Sequence, residues 1–286
     1  MIEIPVNWPK LLPTQDLGHN MPMNMDAGDR YSDNTIITSK GLACDMALHG
    51  KKQSIQYRDL GLIDYKEAWD LQEDSLASVV KEKLDAGEKA GNGFFPKDQV
   101  VYFCEHPHVY TLGKSGQNQN LLIPDAFLEK INATFYKIDR GGDITYHGPG
   151  QIVGYPIIDL ESLNIKVKDY VRGLEETVIR TLEYYGIESG RLDGATGVWL
   201  DTGGTGKTRK ICAIGVRVSR YVTMHGFALN VNTDLRYFQY INPCGFTDKG
   251  VTSMEQESGR EIEIEDVRRR LKEDFSEVFQ VELHTI

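Results

Sequence analysis

Cys244 and Lys210 are the residues of this chain best suited to covalent chemistry. Cys244 stands between Pro243 and Gly245, in a stretch too broken for a strand interior. Proline fixes the approach and glycine removes a neighbouring side chain, so a thiol there is open to attack a substrate. Lys210 opens the apolar alternation Lys210-Ile211-Cys212-Ala213-Ile214-Gly215-Val216-Arg217-Val218. A free thiol titrates near ~8.5, and a nearby cation raises its thiolate fraction at neutral pH. A partly desolvated lysine also gives up its proton and serves as a base. A thiolate attacks thioesters, so such a pair suits acyl transfer through a covalent intermediate.

Each residue also has a plainer reading. Free cysteine is most often a small buried hydrophobe, and a lysine at a strand end commonly snorkels. Counted by twos, Lys210 shares a face with Cys212, Ile214 and Val216, the side expected to meet the core. Cys104 and Cys212 fall inside expected strands, and Cys44 lies in an N-terminal stretch with no period. His147 and His225 sit in glycine-rich surroundings, where each either orients a substrate carbonyl or is a satisfied structural histidine. Arg140-Gly141-Gly142 sets a guanidinium beside backbone N–H groups, suited to an anion or a carbonyl oxygen. Gly203 to Thr208 resembles a phosphate-binding loop, but Asp201 occupies the position that needs glycine and a strand follows where a helix should. A basic hairpin of Lys207, Arg209 and Lys210 that meets an acidic partner is the better expectation.

The elements that must position these groups follow from periodicity. Residues 54–60 alternate as a strand, and Tyr65, Trp69, Leu76, Val80 and Leu84 recur at helical spacing between Asp64 as N-cap and Gly87 as stop. Strands are expected over 99–104, 134–138, 152–158, 197–200, 210–218 and 221–231. Helices are expected around Val171 to Tyr185 and from Asp266 onward. Strands come in clusters that helices only partly separate, which predicts an α+β fold with mixed or antiparallel sheets and flanking helices. Residues 1–52 read as an extension and 53–286 as one catalytic domain.

Composition narrows the class. A chain of 286 residues, 40% hydrophobic and 26% charged, is that of a globular protein. The net charge of −10 argues against a dedicated nucleic-acid binder. No apolar run of about 18 residues is present, so no membrane span is expected. The N-terminus lacks the pattern of a signal peptide. Four scattered cysteines without a CxxC pair suit free thiols in the cytoplasm, not a disulfide framework or a zinc site.

Arg140-Gly141-Gly142-Asp143-Ile144-Thr145-Tyr146-His147-Gly148-Pro149-Gly150-Gln151 resembles the signature of the lipoyl(octanoyl) transferases. Gly197-Val198-Trp199, Lys210 to Arg217, Met224 to Val231, Asn242-Pro243-Cys244-Gly245 and Val251 to Met254 follow in matching order. The resemblance runs from about residue 53 to the end. It implies the α+β fold of the biotinyl and lipoyl protein ligases. It implies octanoyl transfer from acyl carrier protein to a lysine of a lipoyl domain or of the glycine cleavage H protein. Cys244 would carry the acyl thioester, and Lys210 would lower its pKa and handle protons. Arg140, Gly141, Gly142, Asp143, Ile144, Thr145, Tyr146 and His147 would line the acyl pocket with Ala213, Ile214, Gly215, Gly226, Phe227 and Ala228. No cofactor or metal is implied, and a monomer is expected. Three rivals stand beside it: a lipoate or biotin ligase of the same fold that activates a free acid with ATP, an amidotransferase that moves octanoyl between two proteins, and a non-catalytic acyl-carrier or lipoyl-domain binding protein.

Overall fold

The computed structural model describes residues 52–87, 94–204, 206–242 and 249–286. The expected extension, Cys44 and Cys244 therefore lie outside the described residues. Strand β1 (Gln53–Leu62) leads to helix α1 (Tyr65–Ala86). The Asp64 carboxylate accepts from the Lys66 and Glu67 N–H groups, and Gly87 ends the helix at φ 51°. The buried stripe of α1 is Tyr65, Ala68, Gln72, Leu76 and Val79, with Leu84 turned out to solvent. Gln72 belongs to that stripe because its Oε1 accepts the His225 N–H at 3.0 Å.

Strands β2 (Val100–Glu105), β3 (Val109–Leu112), β4 (Thr134–Lys137), β5 (Ile144–His147) and β6 (Gln151–Ile157) follow, with the short helix α2 (Asp125–Lys130) between β3 and β4. Helix α3 (Val167–Tyr184) precedes β7 (Gly190–Leu192), β8 (Ala195–Leu200), β9 (Arg209–Ser219) and β10 (Val222–Asn230). After β11 (Gly250–Val251) come α4 (Met254–Ser258), α5 (Ile264–Phe279) and β12 (Val281–Thr285).

Two sheets are built from these strands, and the expected α+β class holds. The larger runs β12-β1-β2-β6-β10-β9-β8-β7, with β11 added beside β9. Its β12–β1–β2 end is parallel and the path from β2 to β7 is antiparallel. The smaller sheet runs β4-β3-β5. Strand alternation sends Ile152, Phe227, Leu229 and Cys212 to one face of the large sheet, under α3 and α5. Val153, Tyr155, Met224 and Ala228 go to the opposite face, under α1. The small sheet packs its own core of Tyr110, Ile144 and Tyr146 against the 3₁₀ segment Leu235–Tyr240. β3 and β5 stand where the sequence signalled only punctuation, because their pairing partners are distant in the chain. No described helix is long and apolar enough to cross a membrane.

Candidate active site

A cavity of about 960 Å³ opens between β9 and β10 of the large sheet, the loop ahead of β5 and the 3₁₀ segment. The loop is held down on β9. Gly141 N–H donates to Val216 O at 3.2 Å, and Arg140 donates through Nη1 to Gly141 O and through Nη2 to Asp143 O. The guanidinium thus braces its own loop while lining the cavity. Arg140, Gly141, Gly142, Asp143, Ile144, Thr145 and His147 all reach the cavity wall. Tyr146 does not. Alternation along β5 sends its ring into the small-sheet core, stacked on Tyr237 with its hydroxyl 2.8 Å from His108 Nδ1.

The opposite wall carries Ala213, Ile214 and Gly215 of β9 and Gly226, Phe227 and Ala228 of β10. Small residues here let the loop approach the sheet. A Cβ on Gly215 would meet Gly141 O of the loop at 2.9 Å, while one on Gly226 would meet Gly154 O of the neighbouring strand β6 at 2.2 Å.

Lys210 also lines the cavity, but not by the parity expected from the sequence. Val198 pairs with Cys212 while the next residue, Trp199, pairs with Lys210, so β9 carries one extra residue at Ile211. This bulge puts Ile211 and Cys212 together in the helix-covered core and turns Lys210 to the other side, with Trp199. The Lys210 Nζ lies 4.5 Å from the centroid of the Trp199 ring. Cys104 and Cys212 are buried, and loss of solvation raises both thiols well above their usual range. Neither lines the cavity. Asn242, two residues before Cys244 in the chain, lines the same cavity as Lys210.

Polar networks around the two histidines singled out in the sequence complete the site. His147 Nδ1 is 2.8 Å from Gln151 Oε1. Gln151 Nε2 donates to Asn230 Oδ1, and Asn230 Nδ2 donates to Thr252 O. That directed chain leaves Gln151 Oε1 only as an acceptor, so His147 carries its proton on Nδ1 and presents Nε2 as a lone pair. Burial pushes its pKa down to about 3. His225 sits in β10 at φ 60° with its Nε2 3.2 Å from Asp139 Oδ1, so the carboxylate fixes the proton on Nε2. Burial lowers the His225 pKa, while the His225 hydrogen bond and the Arg217 charge hold Asp139 below the usual carboxylate range.

The expected basic surface is partly consumed inside the molecule. Arg209 makes two hydrogen bonds to the Glu257 carboxylate, at 2.7 and 2.6 Å, and pairs with Asp201. Arg217 is shared between Glu73 and Asp139 at 2.6 Å each. Lys207 and Arg220 remain exposed.

Comparison with known proteins follows the same lines as the geometry. The family model of the lipoyl protein ligase A/B catalytic domain matches residues 64–276. An octanoyltransferase of Christiangramia forsetii is 55% identical over 232 residues, covering 81% of this chain and 98% of that protein. One from Bacteroides fragilis is 57% identical over 213 residues, covering 74% and 92%. Among solved structures, a bipartite lipoate protein ligase from Thermoplasma acidophilum has a TM-score of 0.59 at 15% identity, covering 82% of this chain and 88% of that one. A lipoate-protein ligase A bound with ATP reaches 0.57 at 14% identity, with 82% and 89% covered. These two likenesses concern the fold alone.

Proposed function

Because the chain belongs to the lipoyl protein ligase A/B catalytic-domain family and, within it, to the octanoyltransferases, which are acyltransferase enzymes, we propose that it moves an octanoyl group from octanoyl-acyl carrier protein to a lysine of a lipoyl domain or of the glycine cleavage H protein. In the first step the Cys244 thiolate attacks the carrier thioester. A new C–S bond forms, the carrier thiolate leaves and takes a proton, and Cys244 holds the acyl group. In the second step the neutral ε-amine of the acceptor lysine attacks that thioester. An amide forms, the amine gives up a proton, and Cys244 returns as thiolate. The thioester already stores the activation energy, so the reading needs neither metal nor nucleotide.

Lys210 lowers the Cys244 pKa as a nearby cation and passes protons between the two steps. The observation that carries this reading is that Lys210, set on the Trp199 side of β9 by the bulge at Ile211, lines the same cavity as Asn242. The apolar floor of Ile214, Val216, Phe227 and Ala228 suits a straight alkyl chain. At about 0.8 kcal/mol per buried CH₂, a seven-carbon tail contributes on the order of 5 kcal/mol to acyl binding. The same reading keeps a cytoplasmic monomer as its expectation.

The test is the intact mass of the purified protein after incubation with octanoyl-carrier protein, beside Cys244→Ser. The expected result is one octanoyl increment on the wild type, removed by hydroxylamine and absent from the variant. An unmodified wild type that still transfers octanoyl would remove the covalent intermediate. Turnover that required ATP and free octanoate would turn the reading to an acid-activating ligase.

A further inference from the structure

Residues 113–122 belong to none of the motifs above, yet they are bonded both to the cavity loop and to the segment Tyr240–Asn242, two parts of the cavity lining. Toward the cavity loop, Gly113 N–H donates to Asp143 O at 3.3 Å, Lys114 N–H to Arg140 O at 2.9 Å and Ser115 N–H to Gly142 O at 3.1 Å. The approach is close: a Cβ on Gly113 would lie 2.4 Å from Gly142 O, and one on Gly116 would lie 2.5 Å from Asp143 Oδ1. Toward the segment that runs on to residue 244, Leu122 N–H donates to Tyr240 O at 2.9 Å and Asn242 N–H to Asn120 O at 2.8 Å. Leu121 and Ile241 form an antiparallel bridge between these two bonds.

Asn120 is where the two halves meet. Its Nδ2 lies 2.9 and 2.7 Å from the two oxygens of the Asp143 carboxylate. A carboxylate only accepts, so the amide orientation is fixed with nitrogen inward. Asp143 Oδ1 in turn accepts the Ile144 N–H at 2.6 Å and so sets the start of β5. One residue thus holds the cavity loop through its side chain and the Tyr240–Asn242 segment through its carbonyl.

We propose that Asn120 is a positioning residue, which through Asp143 and Asn242 keeps the acyl-binding loop in register with the segment leading to the nucleophile. The proposal rests on the octanoyl-transfer reading for its effect on rate. Its structural half stands apart from that reading and is tested apart from it.

The experiment compares wild type, Asn120→Ala, Asn120→Asp, Asp143→Asn and the exchanged double variant Asn120→Asp/Asp143→Asn. The exchange restores the contact in reverse, with a carboxylate at 120 accepting from an amide at 143 whose oxygen still serves Ile144 N–H. Backbone hydrogen exchange is followed in peptides over 141–145 and 239–242, and kcat and KM for octanoyl transfer are measured separately. Asn120→Ala is expected to speed exchange over 239–242 about tenfold, although that segment is not mutated. It is expected to lower kcat about tenfold with KM changed less than threefold. The double variant is expected to recover both to within about threefold of wild type, while Asn120→Asp alone is the poorest. Unchanged exchange over 239–242 in Asn120→Ala would overturn the link between the cavity loop and that segment, whatever reaction the protein performs. Faster exchange with kcat within twofold of wild type would overturn the positioning role, as would a double variant no better than Asn120→Asp.

Discussion

The ammonium of Lys210 sits 4.5 Å from the centre of the Trp199 ring, the residue it faces between β8 and β9. Trp199 is itself fixed by an Nε1 hydrogen bond to Ala195 O at 3.0 Å and is almost fully buried. The ring is therefore a rigid shelf for a flexible four-carbon side chain, and a cation over an aromatic face gains about 1 kcal/mol. Without the shelf Lys210 has more rotamers to leave the cavity by.

Trp199→Leu is accordingly expected to lower the octanoyl-transfer rate about tenfold, whereas Trp199→Tyr keeps an aromatic face and loses less than threefold. Initial rates on the two folded variants decide it. Equal losses in both would mean that tryptophan acts by volume and not by its π-face.

Buried histidines, His147, His106 and His225, make stability fall with acid. Burial pushes His147 down to about 3 and His106 to about 4, while the unfolded chain titrates histidine near ~6.5. Above that pH both states are neutral and none of the three contributes. Below it the unfolded chain binds protons that the folded chain refuses, and stability drops until the folded pKa values are reached. At pH 5 the loss depends only on the unfolded value and is about 2 kcal/mol for His147 and the same for His106. Asp139 and Glu257, whose pKa values are lowered, lose their contribution only at more acid pH, near and below ~4. Urea midpoints at pH 7 and pH 5 are expected to differ accordingly, and His147→Asn is expected to shrink the difference by up to half. A midpoint constant over that range would show that the folded rings take up protons.

The turn between β9 and β10 is strained. Arg220 and Tyr221 form a two-residue hairpin loop with φ of 51° and 65°, the left-handed values that a type I′ turn demands and that asparagine and glycine meet at least cost. Lys83 holds it by donating to Arg220 O at 2.9 Å, a backbone contact that survives substitution. Arg220→Asn/Tyr221→Gly is expected to raise the unfolding free energy by about 1 kcal/mol. Lys83 Nζ also lies 6.0 Å from the centroid of the Tyr221 ring, and an unchanged or lower urea midpoint would show that losing this contact outweighs the relief of strain.

Much of this architecture was legible in the chain. The Asp64 cap, the Gly87 stop and the strands β6 and β10 carry local physical signals, and each lies within a residue of where it was expected. What local signals miss is what distant partners impose. Parity counting placed Lys210 beside Cys212, but the unequal pairing with β8 inserts a bulge that no short-range pattern announces. Contiguity in a motif placed Tyr146 in the pocket, although a strand must turn every second residue away. Gln72, Tyr65 and Tyr155 reach or brace the site from elements whose own periodicity reports only burial. Asn120 had no signal at all, because its role exists only in its partners.

Gly215 lies at a close approach between sheet and loop, and enlarging it tests whether that contact matters. A Cβ there lies 2.8 Å from Arg140 Nη1 and 2.9 Å from Gly141 O. The guanidinium tip can swing aside, but the carbonyl belongs to the loop backbone, so relief requires the loop to lift and its Gly141 N–H bond to Val216 O to lengthen. Overpacking of this kind costs about 1–3 kcal/mol, which at this size lowers the thermal midpoint by roughly 2–12 °C. The loop also forms one wall of the cavity proposed to hold the acyl chain, so the rate is expected to suffer more than the fold. Gly215→Ala is expected to remain folded and to transfer octanoyl at least tenfold more slowly. Gly203→Ala, where a Cβ meets nothing within 4 Å, is the control and is expected to match wild type in both respects. A Gly215→Ala variant with wild-type rate would mean that the loop adjusts its height freely, and that its close seat on β9 is not what shapes the pocket.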